Sequence, residues 1–402
     1  MTKIAKNKIR VAVFIPVFGI PSEVWSIRQC LGFKDIEPIV VCWHIHPEAP
    51  RNNYGLECHE LTAPWKQQLS VIKRIAIKLG ISSAVLPDAD EQLEIKNLLN
   101  ALNIDAVLCH FSWTGIRVAV AAGNTFPMIW HVHGRDISSS LKSSAYKSAL
   151  RKLLPTAAKV VAVGSFQLDI LKRLGLGSNQ GVLIPCGAPI NEFTTRPGHT
   201  RPANTKIRII YVGRLSPEKG PLETIQAFSL ANKTIPNTEL ILVGDGELRE
   251  SAEELTLKLM LQDKVTFLGT LPSSQIANEL SKSHIYTQHS QEYKGWIEGF
   301  GVTLTEAGAA GLPLVVSRSG GIIDQVVDGQ NGILFPPGDI NAQAQAILEL
   351  AQDENRRARM GASARQLAAR FDSETQIDKL EHLLVDICRQ QKKPGTLRHR
   401  IE

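Results

Sequence analysis

Residues 207–221 read Ile207-Arg-Ile-Ile-Tyr-Val-Gly213-Arg214-Leu-Ser-Pro-Glu-Lys219-Gly220-Pro221. A β-branched run stops at a glycine, a short charged loop follows, and a proline then opens a segment with helical periodicity. This is the strand–loop–helix step of a parallel sheet. Downstream the step repeats. Strands are predicted at 239–243, 264–268, 285–287 and 313–316, with helices at 221–232, 248–261, 273–282 and 304–310. Helices at 341–351, 355–370 and 373–391 follow.

Upstream the same alternation occurs. Apolar strands are predicted at 9–15, 38–43, 105–109, 127–131 and 159–163, with amphipathic helices at 66–79, 91–102 and 141–152. The polar, proline-containing stretch from Phe193 to Asn204 separates the two series. The fold class that follows is α/β, with two Rossmann-like, doubly wound parallel-sheet domains facing an interdomain cleft. The expected boundaries are 1–190, a linker over 191–206, 207–372, a helix over 373–391 crossing back to the first domain, and a basic tail over 392–402.

Composition narrows the class. The 402 residues exceed one ordinary core. Hydrophobic residues at 43% and charged ones at 21% are globular usage, which excludes a disordered or collagen-like chain. The six cysteines form no C-x-x-C pair, which fits a reducing compartment and gives no zinc ribbon or redox motif. No run of about 18 apolar residues is present. The basic start before Val11 resembles a signal peptide, but Pro16, Pro21 and Glu23 interrupt it and no cleavage site follows. The net charge of +6 is uneven, with 22 basic against 14 acidic side chains in residues 1–200. That half either meets an anionic surface or is a solvated basic face.

In open parallel sheets ligands bind beyond the carboxyl ends of the strands, so the strand-end loops carry the candidate chemistry. Arg214 and Lys219 can hold a diphosphate, by a bidentate fork and a point charge. In Glu298-Gly-Phe-Gly-Val-Thr-Leu-Thr-Glu306-Ala-Gly-Ala-Ala-Gly-Leu-Pro313, Gly299 and Gly301 allow close backbone approach where a helix begins. The free amides at that start favour phosphate oxygens. Glu306, eight residues after Glu298, can accept hydrogen bonds from a vicinal diol such as a ribose. Val243-Gly-Asp-Gly-Glu-Leu248 and Phe267-Leu-Gly-Thr-Leu271-Pro272 are further strand-end turns, suited to holding a nucleotide base. Each also reads as ordinary turn chemistry. In the amino half, His131-Val-His133-Gly134-Arg-Asp136 follows a predicted strand. His131 and His133 are conceivable metal ligands, but no third ligand is evident.

In this order the segments resemble the retaining GT-B glycosyltransferases of glycosyltransferase group 1, of the kind that builds bacterial surface polysaccharides. The similarity spans nearly all of residues 205–372 and continues through Ser319-Gly-Gly-Ile-Ile-Asp324 and Gly329-Gln-Asn-Gly332-Ile-Leu-Phe-Pro-Pro-Gly338-Asp339. The resemblance implies a nucleotide-sugar donor, a UDP- or GDP-sugar, held by the carboxyl domain, with no cofactor and no obligatory metal. It implies that Arg214 and Lys219 hold the diphosphate and Glu306 the ribose. Gly299, Phe300, Gly301 and Val302 would line the donor, Leu271 its base, and Glu298 the sugar hydroxyls. His133-Gly-Arg-Asp136 is similar to the family's H-G-x-D stretch, which would bring His133 to the transferred sugar. Pro21-Ser22-Glu23 is similar to its first-loop pattern, which puts Ser22, Glu23 and Asp136 on the acceptor side. The chain departs from the family at Val24-Trp25, at Asp324 and in Gln291-Glu-Tyr-Lys-Gly-Trp296.

The expected activity is hexosyl transfer with retention to a hydroxyl of a lipid-linked glycan, in exopolysaccharide or lipopolysaccharide assembly, with no nucleic-acid partner. The alternatives are a sugar-nucleotide epimerase, an inverting transferase with Asp136 as base, and a two-domain sugar binder. The expected location is cytoplasmic, extending to an anionic membrane face. There Leu141, Ala145, Tyr146, Ala149, Leu150, Leu153 and Leu154 would form an interfacial stripe flanked by Lys142, Lys147, Arg151 and Lys152.

Overall fold

The computed structural model describes residues 8–20, 23–62, 85–194 and 206–391. The predicted helix over 66–79, Ser22 and the basic tail lie outside them. The described residues divide into two compact units, one of those up to Ile184 together with 376–391, the other of those within Pro185–Thr375.

The first unit runs β1 (Ile9–Phe18), α1 (Val24–Gly32), β2 (Ile36–Ile45), β3 (Glu57–Glu60), α2 (Ala89–Ala101), β4 (Ala106–His110) and α3 (Ser112–Ala122). It continues through β5 (Met128–Val132), α4 (Ser144–Leu153), β6 (Lys159–Ala162), α5 (Ser165–Arg173) and β7 (Gly181–Leu183). The strands form one sheet in the order β3-β2-β1-β4-β5-β6-β7, parallel throughout. The central strand is apolar on both faces because both are covered. Ala12 and Phe14 enter one core cluster, and Val11, Val13 and Ile15 enter the other.

The second unit runs α6 (Ile190–Phe193), β8 (Ile207–Val212), α7 (Pro221–Thr234), β9 (Thr238–Val243), α8 (Arg249–Lys258), β10 (Val265–Gly269) and α9 (Ser273–Lys282). Then come β11 (Ile285–Gln288), α10 (Val302–Ala309), β12 (Leu314–Ser317), β13 (Gly332–Phe335), α11 (Ile340–Gln352) and α12 (Glu354–Ala368). Its sheet, in the order β10-β9-β8-β11-β12-β13, is also parallel. The same two-sided burial recurs: Ile209 and Tyr211 face one cluster, Ile210 and Val212 the other.

Two sequence expectations are corrected here. The linker does not begin at 191, because α6 is already part of the second unit and its Phe193 is buried among Ile210, Leu304 and Ala307. The stripe on α4 is not an interfacial surface. Tyr146, Leu150 and Leu154 are buried in the first unit's core, with Leu141, Ala149 and Leu153 packed against it. Lys142, Lys147, Arg151 and Lys152 remain exposed.

The last helix, α13 (Ser373–Gln391), belongs to the first unit for most of its length. Ile377, Leu380, Leu384, Ile387 and Cys388 share a core cluster with Val11, Val13 and Ile36. Glu381 fixes its register. One carboxylate oxygen accepts hydrogen bonds from the amides of Lys34 (2.8 Å), Asp35 (2.7 Å) and Ile36 (3.1 Å) at the start of β2. Bonds to a charged acceptor are the stronger kind, and buried amides left bare are costly. Glu381→Ala is expected to lower stability by about 2–4 kcal/mol, read as an earlier urea midpoint. Glu381→Gln, which keeps an acceptor oxygen, is expected to lose less.

Candidate active site

In the second unit the strand-end loops are knitted together through backbone bonds. The Gly213 amide donates to the Val243 carbonyl, Leu215 to Asp245, Leu248 to Leu215, and Gly244 to Gly269. Gly244 has φ +129°, and a Cβ there would lie 2.0 Å from the Gly213 carbonyl oxygen. The loop after β8 therefore rests directly on the loop after β9, which fixes where Arg214 starts. The buried Tyr211 hydroxyl donates to the Arg214 carbonyl (2.7 Å).

The two predicted cations differ. The Arg214 side chain is 60% exposed and pairs with Glu218 at 3.1 Å. Lys219 and Glu298 form a close ion pair, their side chains 14% and 7% exposed. The Lys219 ammonium also lies 5.3 Å from the centroid of the Trp296 ring, a cation–π distance. Trp296 is carried by the segment 291–296 in which the chain departs from the family. Tyr293 and Trp296 close it by mutual backbone bonds, and Gln291 ties it to the Glu218 and Pro217 carbonyls.

Glu298 begins the glycine-rich turn into α10. Its carbonyl accepts the Gly321 amide at 2.9 Å. A Cβ at Gly320 would come within 2.1 Å of the Glu298 carbonyl oxygen, and one at Gly321 within 2.1 Å of the Gly299 oxygen. Gly301 precedes the helix at φ +83°, a left-handed conformation that favours glycine. Gln325 donates to the carbonyls of Phe300 and Gly301 and accepts from the Thr305 hydroxyl (2.7 Å). The turn is thus braced from behind, with the first amides of α10 directed out of its start. Glu306 is half-buried on that helix, and Leu271 packs half-buried against the core.

The structure therefore gathers Arg214, Lys219, Glu298, Gly299, Phe300, Gly301, Val302 and Glu306 around the ends of β8 and the start of α10. Sequence reasoning missed three buried polar side chains there. Ser216 Oγ, Gln288 Nε2 and Ser290 Oγ have no hydrogen-bond partner among the described residues. The signal was their position at or just after strand ends. A ligand that satisfies such groups recovers the cost of burying them.

In the first unit His133 follows β5 and packs against Trp25 of α1, ring centroids 4.1 Å apart and planes tilted by 33°. His110 Nδ1 lies 3.0 Å from His133 Nε2. Burial pushes His133 well below the ordinary histidine range, with the neighbouring His131 and His110 adding to the shift. Asp136 is not free to act as a base. Its carboxylate is fully buried and accepts the amides of Ser112, His133 and Gly134 and the Ser112 hydroxyl. It clamps the loop that carries His133. A third imidazole beside His131 and His133 does exist: His110, which comes from the neighbouring strand.

Two family models match the chain. Residues 193–367 match "Glycosyl transferases group 1" and residues 25–192 match "Glycosyltransferase Family 4". The protein is a glycosyltransferase that acts with nucleotide sugars, built on the GT-B arrangement of two parallel-sheet Rossmann-like domains. Among curated relatives, a GDP-mannose-dependent alpha-(1-6)-phosphatidylinositol monomannoside mannosyltransferase of Mycolicibacterium smegmatis is 24% identical over 306 residues, covering 71% of this chain and 78% of the relative. A glycogen synthase of Mycobacterium tuberculosis is 26% identical over 302 residues, covering 72% and 70%. Among solved structures, Anabaena Alr3699/HepE in complex with UDP superposes with a TM-score of 0.76 at 20% identity, covering 94% of this chain and 100% of that one. Sucrose-phosphate synthase from Thermosynechococcus elongatus gives 0.74 at 18% identity, covering 95% and 100%.

Glu23, at the start of α1, gives a pH prediction. Burial lifts its carboxyl from 4.5 to about 7. Between those values the folded chain keeps a proton that the unfolded chain releases. The group's contribution to stability is therefore intact below about pH 4.5 and is lost as pH rises through 7. Glu23→Gln is expected to melt close to wild type at pH 5 and to be more stable by about 1–3 kcal/mol at pH 8. Thermal melts across that range measure it.

Proposed function

We propose that the enzyme transfers a hexosyl unit from a UDP- or GDP-sugar to a hydroxyl of a lipid-linked glycan, with retention at the anomeric carbon. The observation that carries this reading is the buried Lys219–Glu298 pair at the start of α10. A lysine held there by a carboxylate, beside free helix amides, supports a diphosphate site that need not recruit its cation from solvent.

Chemically the demand falls on the leaving group. As the anomeric C–O bond breaks, charge develops on the diphosphate oxygens. Fixed donors stabilise it more than mobile water can. Lys219 and the amides of Gly299, Phe300, Gly301 and Val302 are the fixed donors. Arg214, more exposed, closes on the phosphates when they bind. Glu298 keeps Lys219 in place and offers its other oxygen to a sugar hydroxyl. Glu306 takes the ribose diol and Leu271 lines the base. The acceptor hydroxyl attacks the face from which the diphosphate departs and passes its proton to the departing diphosphate oxygen, and no enzyme carboxylate is assigned as nucleophile. His133 meets the transferred sugar as a neutral imidazole, able to donate or accept a hydrogen bond without adding charge. Glu23 and Ser22 are assigned to the acceptor side, with Asp136 as the clamp behind His133.

Trp296 supports a role for segment 291–296 in sugar choice, because it covers the ammonium that the sugar diphosphate must reach. The exposed Lys142, Lys147, Arg151 and Lys152 support contact with anionic lipid by charge alone, since the apolar side of α4 is occupied. No helix among the described residues is long and apolar enough to cross a membrane.

Thermal-shift screening of UDP- and GDP-sugars tests the donor class, since binding raises the melting temperature by mass action. NMR of the anomeric centre in the product tests retention. With a confirmed donor, Lys219→Ala is expected to lower the transfer rate by about 10²–10³-fold. Near-normal turnover would remove Lys219 from the diphosphate site.

A further inference from the structure

We propose that His110, His131 and His133 form a site for a divalent transition-metal ion of the zinc class. One ring nitrogen from each lies within 4.8 Å of the others. The sheet explains the convergence. His110 and His131 are register partners at the ends of the parallel strands β4 and β5. His133 follows His131 by two residues, and a period of two returns a side chain to the same face.

The surroundings fit a cation ligand set better than a packed core. His110 and His131 are fully buried, yet His110 Nε2 and at least one nitrogen of His131 have no hydrogen-bond partner among the described residues. Burying a bare imidazole nitrogen is costly, and an ion held with His110 Nδ1 and His133 Nε2 relieves that cost at one nitrogen of His131. Tetrahedral zinc, with Zn–N of about 2.0–2.1 Å, needs ligand nitrogens about 3.3 Å apart. His110 Nδ1 and His133 Nε2 are already at 3.0 Å, so the shift required falls mainly on the His131 ring. The nearby Asp136 carboxylate is committed to backbone amides, which leaves an all-imidazole set. Imidazole suits zinc, cobalt, nickel and copper, whereas magnesium and calcium prefer oxygen. Three protein ligands leave a fourth position for water, on the side of half-buried His133.

Occupancy would engage a nitrogen of His133. Resting on the role assigned to His133 above, the ion is inhibitory: it ties up the imidazole that must meet the sugar.

The test uses the full chain stripped with EDTA and titrated with Co²⁺ in place of Zn²⁺. Expected is a tetrahedral d–d absorption that saturates at one equivalent and is displaced by Zn²⁺. His131→Asn and, separately, His110→Asn should abolish it, with folding checked by circular dichroism. Thiolate charge-transfer bands, or a spectrum that survives in either folded variant, would overturn the site. Should both variants fail to fold, histidine ¹⁵N shifts in the wild-type chain decide. Zn²⁺ must move three imidazole spin systems together, and movement only of exposed histidines would overturn it. Activity separates the two readings. One equivalent of Zn²⁺ is expected to cut transfer at least 10-fold, reversibly with EDTA. Metal binding by the triad with full activity would overturn the inhibitory role of the ion and the assignment of His133, and leave the site standing.

Discussion

The second unit's site depends on how Glu298 is held from two directions. Its carbonyl is pinned by the Gly321 amide, at a distance that only glycine at 320 and 321 permits. Its carboxylate is pinned by Lys219. Taking two charges out of water costs several kcal/mol per ion unless pairing offsets it. Neither side chain can therefore be buried alone. The pair in turn joins the loop after β8 to the turn into α10, two pieces of chain 79 residues apart. In the proposed function, a diphosphate there meets a lysine whose desolvation has already been compensated and which it has only to share with Glu298.

The backbone does for position what the ion pair does for charge. Loops after β8, β9 and β10 bond to one another through their backbones, so their mutual placement does not depend on flexible groups. Gln325 adds a second layer by filling the carbonyls of Phe300 and Gly301 from behind. With those carbonyls satisfied, the turn has little reason to relax, and the amides at the start of α10 keep their direction. Preorganised donors of this kind act on developing charge without reorganising during the reaction.

How far the sequence was legible follows from what each feature depends on. The central strands were plain, because burial on both faces writes a continuous apolar run such as Val11-Ala-Val-Phe-Ile15. The edge strands β3, β7 and β13 were not. They are three or four residues long, and Glu57-Cys-His-Glu60 has the polarity of a loop. In the site, glycines and charges within one loop were readable because their spacing is local. Pairings between loops were not: Gln325 beneath Gly301, Trp296 over Lys219 and Glu381 on the start of β2 are contacts across long stretches of chain. The stripe on α4 misled for a related reason. An apolar face records that it is covered, without recording by what. Asp136 misled because its motif gives the residue type, while only the fold shows its carboxylate already bonded.

The first unit solves a different problem with the same architecture. At the strand ends of the second unit, charge is concentrated and paired. At those of the first, three imidazoles sit together with burial holding His131 down to about 3 and the other two well below the ordinary range. Were they to charge, three cations would share one buried pocket, so the cluster is stable only as neutral rings. A neutral ring offers one donor and one acceptor nitrogen. In the His110–His133 contact one ring must donate and the other accept, so the tautomer of His110 sets the state of the His133 nitrogen facing it. Asp136 fixes the backbone of the same loop and Trp25 covers the His133 ring. Backbone position, ring orientation and tautomer of His133 are thus tied to three separate neighbours, each from a different segment of the chain.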